Sequence, residues 1–563
     1  MTLLLMRSIE IAALAVSALL SGTSASPLQQ RNNGPMVYGF DEIQPSPELI
    51  WTSCFDNFTC AMLEVPLDYT DPSIGSTNVA FIKKPSSNTT AIDLFAQPGG
   101  PGGSGVSTIL EWAETFPHNG LGSQYHLIGF DPRGVNRSGI ELECFPGNPA
   151  AKLRFSQDVL DRPVDDSSRG SLYQAWELSR GWGERCTAVQ DPKLPKKYAN
   201  TVAVANDVLR FTELNAKNLG HPPEEAKVWF YGRSYGTVLG ATIAALFPDR
   251  IGRMILDGVV DADDYYGGGW ATAVADADQS ARTFFTSCYE AGPELCAFYG
   301  NASSAEDIEL RVFNIFDDLR EYPILISDPL MSSTPLLVGV SELKAFFFNA
   351  LYNAVQNFPA LALVLDELEH RNATTLSIAG GRVALGIPMN TTDDTYTPGF
   401  ARTHIACIDA NGRYNLSTFE EYQRHVEFQV NLSFFGGNTM ASIVTTPCRG
   451  FGIQPPESQV MNIPVSSDHT NVPILFVGNT NDPVTPLRSA QRMSSQFAGS
   501  GVLTVDGTGH TSRGAPSKCT ADHYAAYLAS GTLPPPDTVC KGDLIPFVDR
   551  AGAGGGAGPI ETV

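Results

Sequence analysis

The chain has few basic residues for its length. Its 563 residues include 37 lysines and arginines against 60 aspartates and glutamates, which gives a formal net charge of −23. Proteins that bind nucleic acids or anionic membrane surfaces do so through clusters of lysine and arginine. The charge balance therefore argues against both as binding partners.

Beyond the N-terminal region, the sequence has no long hydrophobic run. Arg7 precedes the apolar run Ile11–Leu20, and Thr23-Ser24-Ala25 offers small residues for cleavage. About ten apolar residues are too few to span a bilayer, and the arrangement is typical of a secretory signal peptide. We predict that residues 1–25 are a signal peptide, that no membrane span remains after its removal, and that the protein is secreted.

The ten cysteines contain no C-x-x-C pair, which removes the basic unit of zinc-ribbon and thioredoxin sites. An even number of cysteines in a secreted chain predicts disulfide bonds instead. We predict no metal and no cofactor. Spacing favours pairs of neighbours along the chain without excluding other connectivities: Cys54–Cys60, Cys144–Cys186, Cys288–Cys296, Cys407–Cys448 and Cys519–Cys540.

Eight N-x-S/T sequons are available for glycosylation, and with the predicted signal peptide they indicate a glycosylated eukaryotic secretory protein. The candidate asparagines are Asn57, Asn88, Asn136, Asn301, Asn372, Asn390, Asn415 and Asn431.

The composition, with 43% hydrophobic and 17% charged residues, is that of a globular protein with a large core. Compact apolar runs alternate with helix-length patterns, which predicts an α/β fold whose mostly parallel sheet is flanked by helices. The predicted strands are Val79–Lys83, Ile92–Ala96, His126–Phe130, Val228–Tyr231, Met254–Leu256, Pro473–Val477 and Val502–Val505. The predicted helices are Val202–Leu219, Thr237–Phe247, Ser489–Phe497 and Ala521–Leu528.

The alternation stops in the middle of the chain, where helix-length patterns dominate. We therefore predict a mainly helical lid over residues 261–468, inserted into one catalytic domain formed by residues 26–260 and 469–547. Residues 548–563 are rich in glycine and alanine, which predicts a disordered tail. The oligomeric state is left open.

The segment Gly232-Arg233-Ser234-Tyr235-Gly236 follows a predicted strand and precedes a predicted helix. This is the context of a nucleophile elbow, in which a sharp turn raises a serine above the edge of the sheet. We predict Ser234 as the catalytic nucleophile.

A serine hydroxyl needs a base, and the base needs an orienting acid, in the chain order Ser, acid, His. His510 lies in a glycine-containing loop directly after a predicted strand, and Asp482 follows the preceding late strand. We predict these two residues as base and acid, with Asp506 as the alternative acid. The other late histidines lie within the lid, inside a helix or before a strand.

The glycine-rich segment Gln97–Gly105 follows a strand and can bring backbone N–H groups close to a substrate. No Lys-Ser/Thr pair follows it, so it is not a Walker motif. Combined with the elbow, it predicts an oxyanion hole formed by the N–H groups of Gly100 and Tyr235.

Together these segments and Gly129–Val135 resemble, in order from about Tyr38 to Phe547, the α/β-hydrolase exopeptidases of the prolyl aminopeptidase and tripeptidyl aminopeptidase type. The resemblance implies that Pro98–Gly102 bears the oxyanion amide and that Asp131–Gly134 helps to shape the site. One departure is Asn136, which stands where the family often has a glycine. A glycan there would crowd the mouth of the site, so we expect this sequon to be unoccupied.

The resemblance implies a serine aminopeptidase that acts on a peptide through an acyl-enzyme. It also implies acidic lid side chains that hold the free amino terminus of the substrate. The candidates are Asp261, Asp263, Asp264, Asp276, Asp278, Glu290 and Glu294. The alternative is a secreted esterase or other hydrolase of small acyl metabolites, because the same triad cleaves esters. A non-catalytic binding protein on this scaffold is disfavoured by the complete triad.

Overall fold

The computed structural model describes residues 35–549 apart from residues 89, 117–119, 161, 331–334, 377–395, 415 and 444–445. The predicted signal peptide, nearly all of the predicted tail and the sequons at Asn390 and Asn415 lie outside the described residues. No helix in the described ranges is long and apolar enough to cross a membrane.

A ten-stranded sheet forms the centre of the protein, and a separate hairpin of two strands lies in the long connection between β7 and β10. In chain order the strands are β1 (Thr52–Cys54), β2 (Phe58–Pro66), β3 (Ser76–Lys84), β4 (Asp93–Gln97), β5 (His126–Asp131), β6 (Val228–Arg233), β7 (Ile251–Asp257), β8 (Ile324–Ile326), β9 (Leu336–Val338), β10 (Leu475–Asn481), β11 (Gly501–Thr508) and β12 (Val539–Lys541).

The main sheet has the order β1-β2-β3-β5-β4-β6-β7-β10-β11-β12. The pairs from β1 to β5 are antiparallel, and those from β5 to β12 are parallel. The α/β prediction is therefore confirmed. Each predicted core strand corresponds to one of these strands, whereas β1, β2 and β12 were not predicted.

The α-helices with described boundaries are α1 (Gly105–Trp112), α2 (Pro149–Phe155), α3 (Arg169–Ala188), α4 (Thr201–Asn218), α5 (Tyr235–Leu246), α6 (Ala262–Gly267), α7 (Ala277–Ala291), α8 (Ala305–Glu321), α9 (Val340–Ala350), α10 (Ala354–Glu369), α11 (Pro398–Ala410), α12 (Phe419–Leu432), α13 (Gly437–Ile443), α14 (Leu487–Gln496), α15 (Thr511–Gly514) and α16 (Lys518–Ser530).

Both faces of the parallel part of the sheet are covered, because successive side chains of a strand point to opposite faces. On β6, Val228 and Phe230 pack in the cluster that includes α4, α5 and α14. The ring of Tyr231 points the other way, into the cluster that includes α1 and α16. This double burial explains why the core strands are almost continuously apolar.

The chain between β7 and β10 forms a mainly helical cap with its own apolar core. Aromatic and aliphatic side chains of α7, α8, α9 and α10 make up this second cluster, and Phe547 from the C-terminal region joins it. The cap core is therefore completed by a residue that the sequence places after the last strand.

Helices α2 and α3 lie within the range that we assigned to the catalytic domain, but they pack against the cap. Leu172 of α3 is buried in one cluster with Phe419, Tyr422 and Val426 of α12. The connection between β5 and β6 thus contributes to the cap as well. Local sequence patterns do not predict this packing, because the contacts join residues about 250 positions apart.

Five disulfide bonds join the ten cysteines, in the neighbouring pairs that the spacing favours. Cys54–Cys60 connects β1 with β2, and Cys519–Cys540 connects α16 with β12. Two bonds lie within the β7–β10 connection, and Cys407–Cys448 is the one that anchors α11.

Candidate active site

Ser234 stands at the sharp turn between β6 and α5. Its backbone has φ 53° and ψ −124°, a strained conformation for a residue that carries a side chain. The flanking glycines permit close packing. A Cβ atom at Gly232 would lie 2.3 Å from the carbonyl oxygen of Gly236, and one at Gly236 would lie 2.7 Å from that of Gln97. The local geometry is that of a nucleophile elbow.

The glycine-rich segment Gln97–Gly105 lies directly against Ser234. A Cβ atom at Gly99 would be 2.9 Å from the hydroxyl oxygen of Ser234, so glycine is needed to leave room for the hydroxyl group. Gly100 has φ 118°, which also favours glycine. Tyr235 begins α5, so its N–H has no partner within the helix. The two predicted oxyanion donors thus lie on the two segments that meet at Ser234.

His510 and Asp482 form a buried pair. The Nδ1 atom of His510 lies 3.0 Å from Oδ2 and 3.1 Å from Oδ1 of Asp482. Asp482 follows β10 and His510 follows β11, and these parallel neighbours bring both residues to the same edge of the sheet. The predicted base and acid are therefore in hydrogen-bond contact.

The Asp482 carboxylate accepts further hydrogen bonds from the N–H groups of Val484, Thr485 and Thr511, and from the Thr485 hydroxyl. Burial by itself raises the pKa of Asp482. The neighbouring His510 and the hydrogen bonds outweigh burial and hold the pKa below its usual value. Asp482 is thus kept ionised beside the imidazole.

Asp506, the alternative acid, lies elsewhere. It is exposed, and its Oδ1 accepts a hydrogen bond from the Thr480 hydroxyl at 3.1 Å. Among the other late histidines, His404 is buried with Nε2 3.4 Å from the Cys144 sulfur, and His469 pairs with Asp468 on the surface.

Asn479, which the sequence analysis did not single out, holds the backbone on both sides of His510. Its Nδ2 donates to the carbonyl oxygens of Gly509 and Thr511, at 2.8 and 2.6 Å. Asn479 is completely buried on β10. One amide group thus restrains the backbone one residue before and one residue after His510.

Asp257, the last residue of β7, connects the serine with the histidine loop. Its carbonyl oxygen accepts from the N–H of Ser234 at 3.0 Å, and its carboxylate accepts from the N–H and hydroxyl of Ser512. A Cβ atom at Gly258 would lie 3.3 Å from Cε1 of His510. The end of β7 therefore contacts both the nucleophile turn and the imidazole. Burial raises the pKa of the Asp257 carboxyl.

The cap reaches the histidine loop through the turn between α9 and α10. The carbonyl oxygen of Tyr352 accepts a hydrogen bond from the N–H of His510 at 2.8 Å. Its ring packs edge-on against the imidazole, with ring centroids 5.1 Å apart. Asn353 and Gly509 form an isolated β-bridge beside this contact. No sequence signal marks Tyr352, because its role depends on how the cap packs.

The Asp131–Gly134 loop contacts the end of the glycine-rich segment at the start of α1. Asp131 accepts from the Ser104 hydroxyl, which caps α1, and from the N–H of Val106. Arg133 is fully buried and forms a bidentate pair with Asp207, with both distances 2.7 Å. This loop therefore fixes the start of the helix that follows the glycine-rich segment.

The acidic residues that the resemblance suggested as amino-terminus ligands have other partners or lie on the surface. Asp261 and Asp263 pair with Arg492, and Asp276 pairs with Arg488. The other two aspartates accept hydrogen bonds within the cap, and both glutamates are exposed. This set comprises Asp264, Asp278, Glu290 and Glu294.

Three clusters in the described residues bring together cysteine, histidine, aspartate or glutamate side chains, which are metal ligands in other proteins. Two of them contain disulfide-bonded cysteines, Cys144 with Cys186 and Cys519 with Cys540, which offer no thiolate. In the third, exposed cluster, Glu369 is paired with Arg311. We assign no metal to any of them.

Comparison with protein families gives two matches, one over the first part of the catalytic domain and the start of the cap, the other over the end of the cap and the last core strands. Residues 94–284 match the alpha/beta hydrolase fold family, and residues 433–540 match the TAP-like protein family. Serine protease Hip1 of Mycobacterium tuberculosis H37Rv is 27% identical over 489 residues, covering 85% of this chain and 87% of that protein. The tripeptidyl aminopeptidase of Streptomyces coelicolor is 26% identical over 509 residues, covering 86% and 84%.

The chain is a serine hydrolase with the α/β-hydrolase fold, and it is similar to a serine protease and to a tripeptidyl aminopeptidase. The predicted fold and enzyme class are therefore confirmed. The similarity also extends to carboxylesterase B of M. tuberculosis CDC 1551, which is 24% identical over 511 residues and aligns with 88% of this chain and 90% of that protein.

Proposed function

We propose that the protein is a secreted aminopeptidase that releases short peptides or single residues from free N-termini through an acyl-enzyme on Ser234. The observation that carries the proposal is the buried His510–Asp482 pair at the same sheet edge as the strained Ser234 turn. The similarity to a tripeptidyl aminopeptidase along most of both chains supports the substrate class.

In the proposed reaction, the Ser234 hydroxyl oxygen attacks the carbonyl carbon of the scissile amide while His510 accepts the hydroxyl proton. The C–N bond then breaks, and His510 returns the proton to the leaving amine. Water attacks the ester in the same way, with His510 as base, and releases the N-terminal product and free Ser234. Asp482 orients the imidazole and stabilises its charged form.

The N–H groups of Gly100 and Tyr235 would stabilise the oxyanion that forms in each step. Loss of one such donor typically lowers turnover by about 10²–10³-fold. The close approach of Gly99 to the serine supports this role, because it places the backbone of the glycine-rich segment beside the reacting oxygen.

The position of the cap supports cleavage near chain ends. Tyr352 contacts the histidine loop, and the hydroxyl group of Tyr396 donates to the carbonyl oxygen of Gly102 in the glycine-rich segment. Cap residues therefore contact both of the loops beside Ser234. A site covered in this way admits the end of a peptide more readily than the middle of a folded chain.

Secretion and glycosylation are part of the proposal. The predicted signal peptide supports secretion, and five disulfide bonds suit an oxidising compartment. The sequon asparagines within the described residues are all exposed: Asn57, Asn88, Asn136, Asn301, Asn372 and Asn431. Mass spectrometry of the protein from culture medium would test both points.

The function is tested with Ala-Ala-Phe amides that carry a free or an acetylated N-terminus, with Ser234→Ala as the inactive control. We expect cleavage of the free peptide and little cleavage of the acetylated one. Equal rates on both would contradict the aminopeptidase assignment.

The second candidate is an esterase of small acyl metabolites, and the observation that favours it is the similarity to carboxylesterase B. Simple esters belong in the same assay. Ester cleavage without cleavage of any tripeptide amide would support this candidate over the peptidase.

A further inference from the structure

We propose that the cap helix α11 holds both halves of the oxyanion site, and that Asp409 on this helix is a positioning residue for Tyr235. The inference rests on the proposed function, because it takes the N–H groups of Gly100 and Tyr235 as the oxyanion donors. It assigns the cap a part in catalysis beyond covering the substrate.

Helix α11 is buried along its length. Every residue from Gly399 to Ala410 is buried, although the helix belongs to the cap. Ala401 and Ile405 pack in the same apolar cluster as Tyr235 of the catalytic domain. Thirteen residues of α-helix span about 20 Å, which is long enough to contact two separate parts of an active site.

The first turn of α11 contacts the glycine-rich segment. A Cβ atom at Gly102 would lie 2.7 Å from the carbonyl oxygen of Pro398 and 2.9 Å from the backbone nitrogen of Arg402. Tyr396, just before the helix, donates its hydroxyl proton to the carbonyl oxygen of Gly102. Gly102 is two residues from Gly100, so these contacts restrain the loop that carries the first donor.

The last turn of α11 is linked to the second donor by a chain of hydrogen bonds. The carboxylate of Asp409 accepts from the N–H of Thr201 at 2.9 Å, from the Thr201 hydroxyl at 2.5 Å and from the Tyr265 hydroxyl at 2.7 Å. The oxygen of the Thr201 hydroxyl lies 2.6 Å from the hydroxyl oxygen of Tyr235. Since Thr201 has one hydroxyl proton and gives it to Asp409, Tyr235 must be the donor to Thr201.

The surroundings of Asp409 suit an acceptor. Burial raises its pKa to about 6, opposed by the hydrogen bonds from Thr201 and Tyr265 and by the charge of Arg413. The N–H and hydroxyl of Thr201 and the hydroxyl of Tyr265 all donate to its two carboxylate oxygens, so Asp409 acts as an acceptor. Thr201 is the first residue of α4, and a helix N-terminus favours a negative charge.

The consequence is that the Tyr235 side chain is held through Thr201 by the cap, while its backbone N–H faces the reaction. Removing either hydrogen bond of the series Asp409–Thr201–Tyr235 should let Tyr235 shift. The shift should weaken oxyanion stabilisation without removing a group that touches the substrate. Displacements of about 1 Å can cost up to 10²-fold in rate. The effect should therefore appear in turnover and acylation more than in KM.

The test measures kcat and KM on the free tripeptide amide and the rate of Ser234 labelling by a fluorophosphonate. Asp409→Asn removes the charge, Thr201→Val removes the hydroxyl link, and Tyr235→Phe removes the phenol oxygen but keeps the backbone N–H. We expect each to lower kcat and the labelling rate by roughly tenfold or more, with KM changed less than about twofold. Thr201→Ser keeps the link and should restore both rates.

Tyr422→Phe is the matched control, because the Tyr422 hydroxyl is buried in the cap without a hydrogen-bond partner in the described residues. It should leave kcat unchanged. If Tyr235→Phe and Thr201→Val also leave kcat and labelling unchanged, or if Thr201→Ser is as slow as Thr201→Val, the inference is wrong. A wild-type protein that is not labelled at Ser234 would instead overturn the proposed function itself.

Discussion

The Nδ1 atom of His510 lies 3.0 Å from Oδ2 of Asp482, and the side chains of the pair are 3% and 0% exposed. Hydrogen bonding of Nδ1 to a buried carboxylate directs the opposite ring nitrogen, Nε2, toward the reacting group. Which ring nitrogen carries the proton is thereby decided by residues that do not touch the substrate.

Asp482→Asn should abolish most activity while leaving the fold intact. The amide cannot stabilise the charged imidazole and favours the wrong tautomer, so kcat should fall by about 10⁴-fold. Steady-state assays on the tripeptide amide measure the loss, and circular dichroism checks the fold. Asp506→Asn is the control, because Asp506 is exposed and bonds Thr480. A larger loss in that variant than in Asp482→Asn would contradict the assignment.

The stability that Asp482 contributes should depend on pH. Its folded-state pKa is lowered, so the stabilisation is fully present above the unfolded-state pKa of about 3.9 and is lost as the pH falls through the lower folded-state value. Urea unfolding of wild type and Asp482→Asn from pH 7 to pH 3 measures the difference in unfolding free energy between the two. This difference should stay constant down to about pH 4 and shrink at lower pH. A difference that grows on acidification would mean that the folded-state pKa is raised instead.

Asn479→Ala should loosen the histidine loop. It removes two hydrogen bonds to the carbonyl groups that flank His510 and leaves both without this donor. We expect a stability loss of about 1–3 kcal/mol and a fall in kcat with little change in KM. Thermal unfolding and steady-state kinetics measure the two effects.

Asn206→Ala is the matched control for Asn479, because Asn206 donates one hydrogen bond to Val202 within α4, far along the chain from the histidine loop. It should leave kcat near the wild-type value. Equal kinetic effects of the two substitutions would show that Asn479 has no special link to His510.

Gly99→Ala should block the nucleophile. The added methyl group would lie 2.6 Å from Cβ and 2.9 Å from the hydroxyl oxygen of Ser234, closer than real contacts allow. We expect labelling by a fluorophosphonate to fall by at least about 10²-fold. Gly181→Ala, in the exposed middle of α3 with open space around it, should keep activity and stabilise the fold by about 0.5–1 kcal/mol. Normal labelling of Gly99→Ala would exclude this packing.

Much of the fold could be predicted from local patterns. Runs that are buried on both faces, such as Val228–Tyr231, stand out in the sequence because they are almost continuously apolar. The edge strands β1 and β12 and the neighbouring strand β2 were missed, since they are short or carry mixed polar residues. The contribution of α3 to the cap was missed as well, because it depends on contacts with α12.

The sequence alone predicted the elbow at Ser234, because a turn of this type needs glycine and serine at fixed neighbouring positions, and it predicted Asp482 and His510 from the chain order that accompanies the elbow. Tertiary structure decided between Asp482 and Asp506 as partner of His510. It also brought Asn479, Tyr352 and the Asp409 hydrogen-bond chain to the site. These contacts join residues far apart in sequence, and only the packing of the cap on the sheet determines which of them meet.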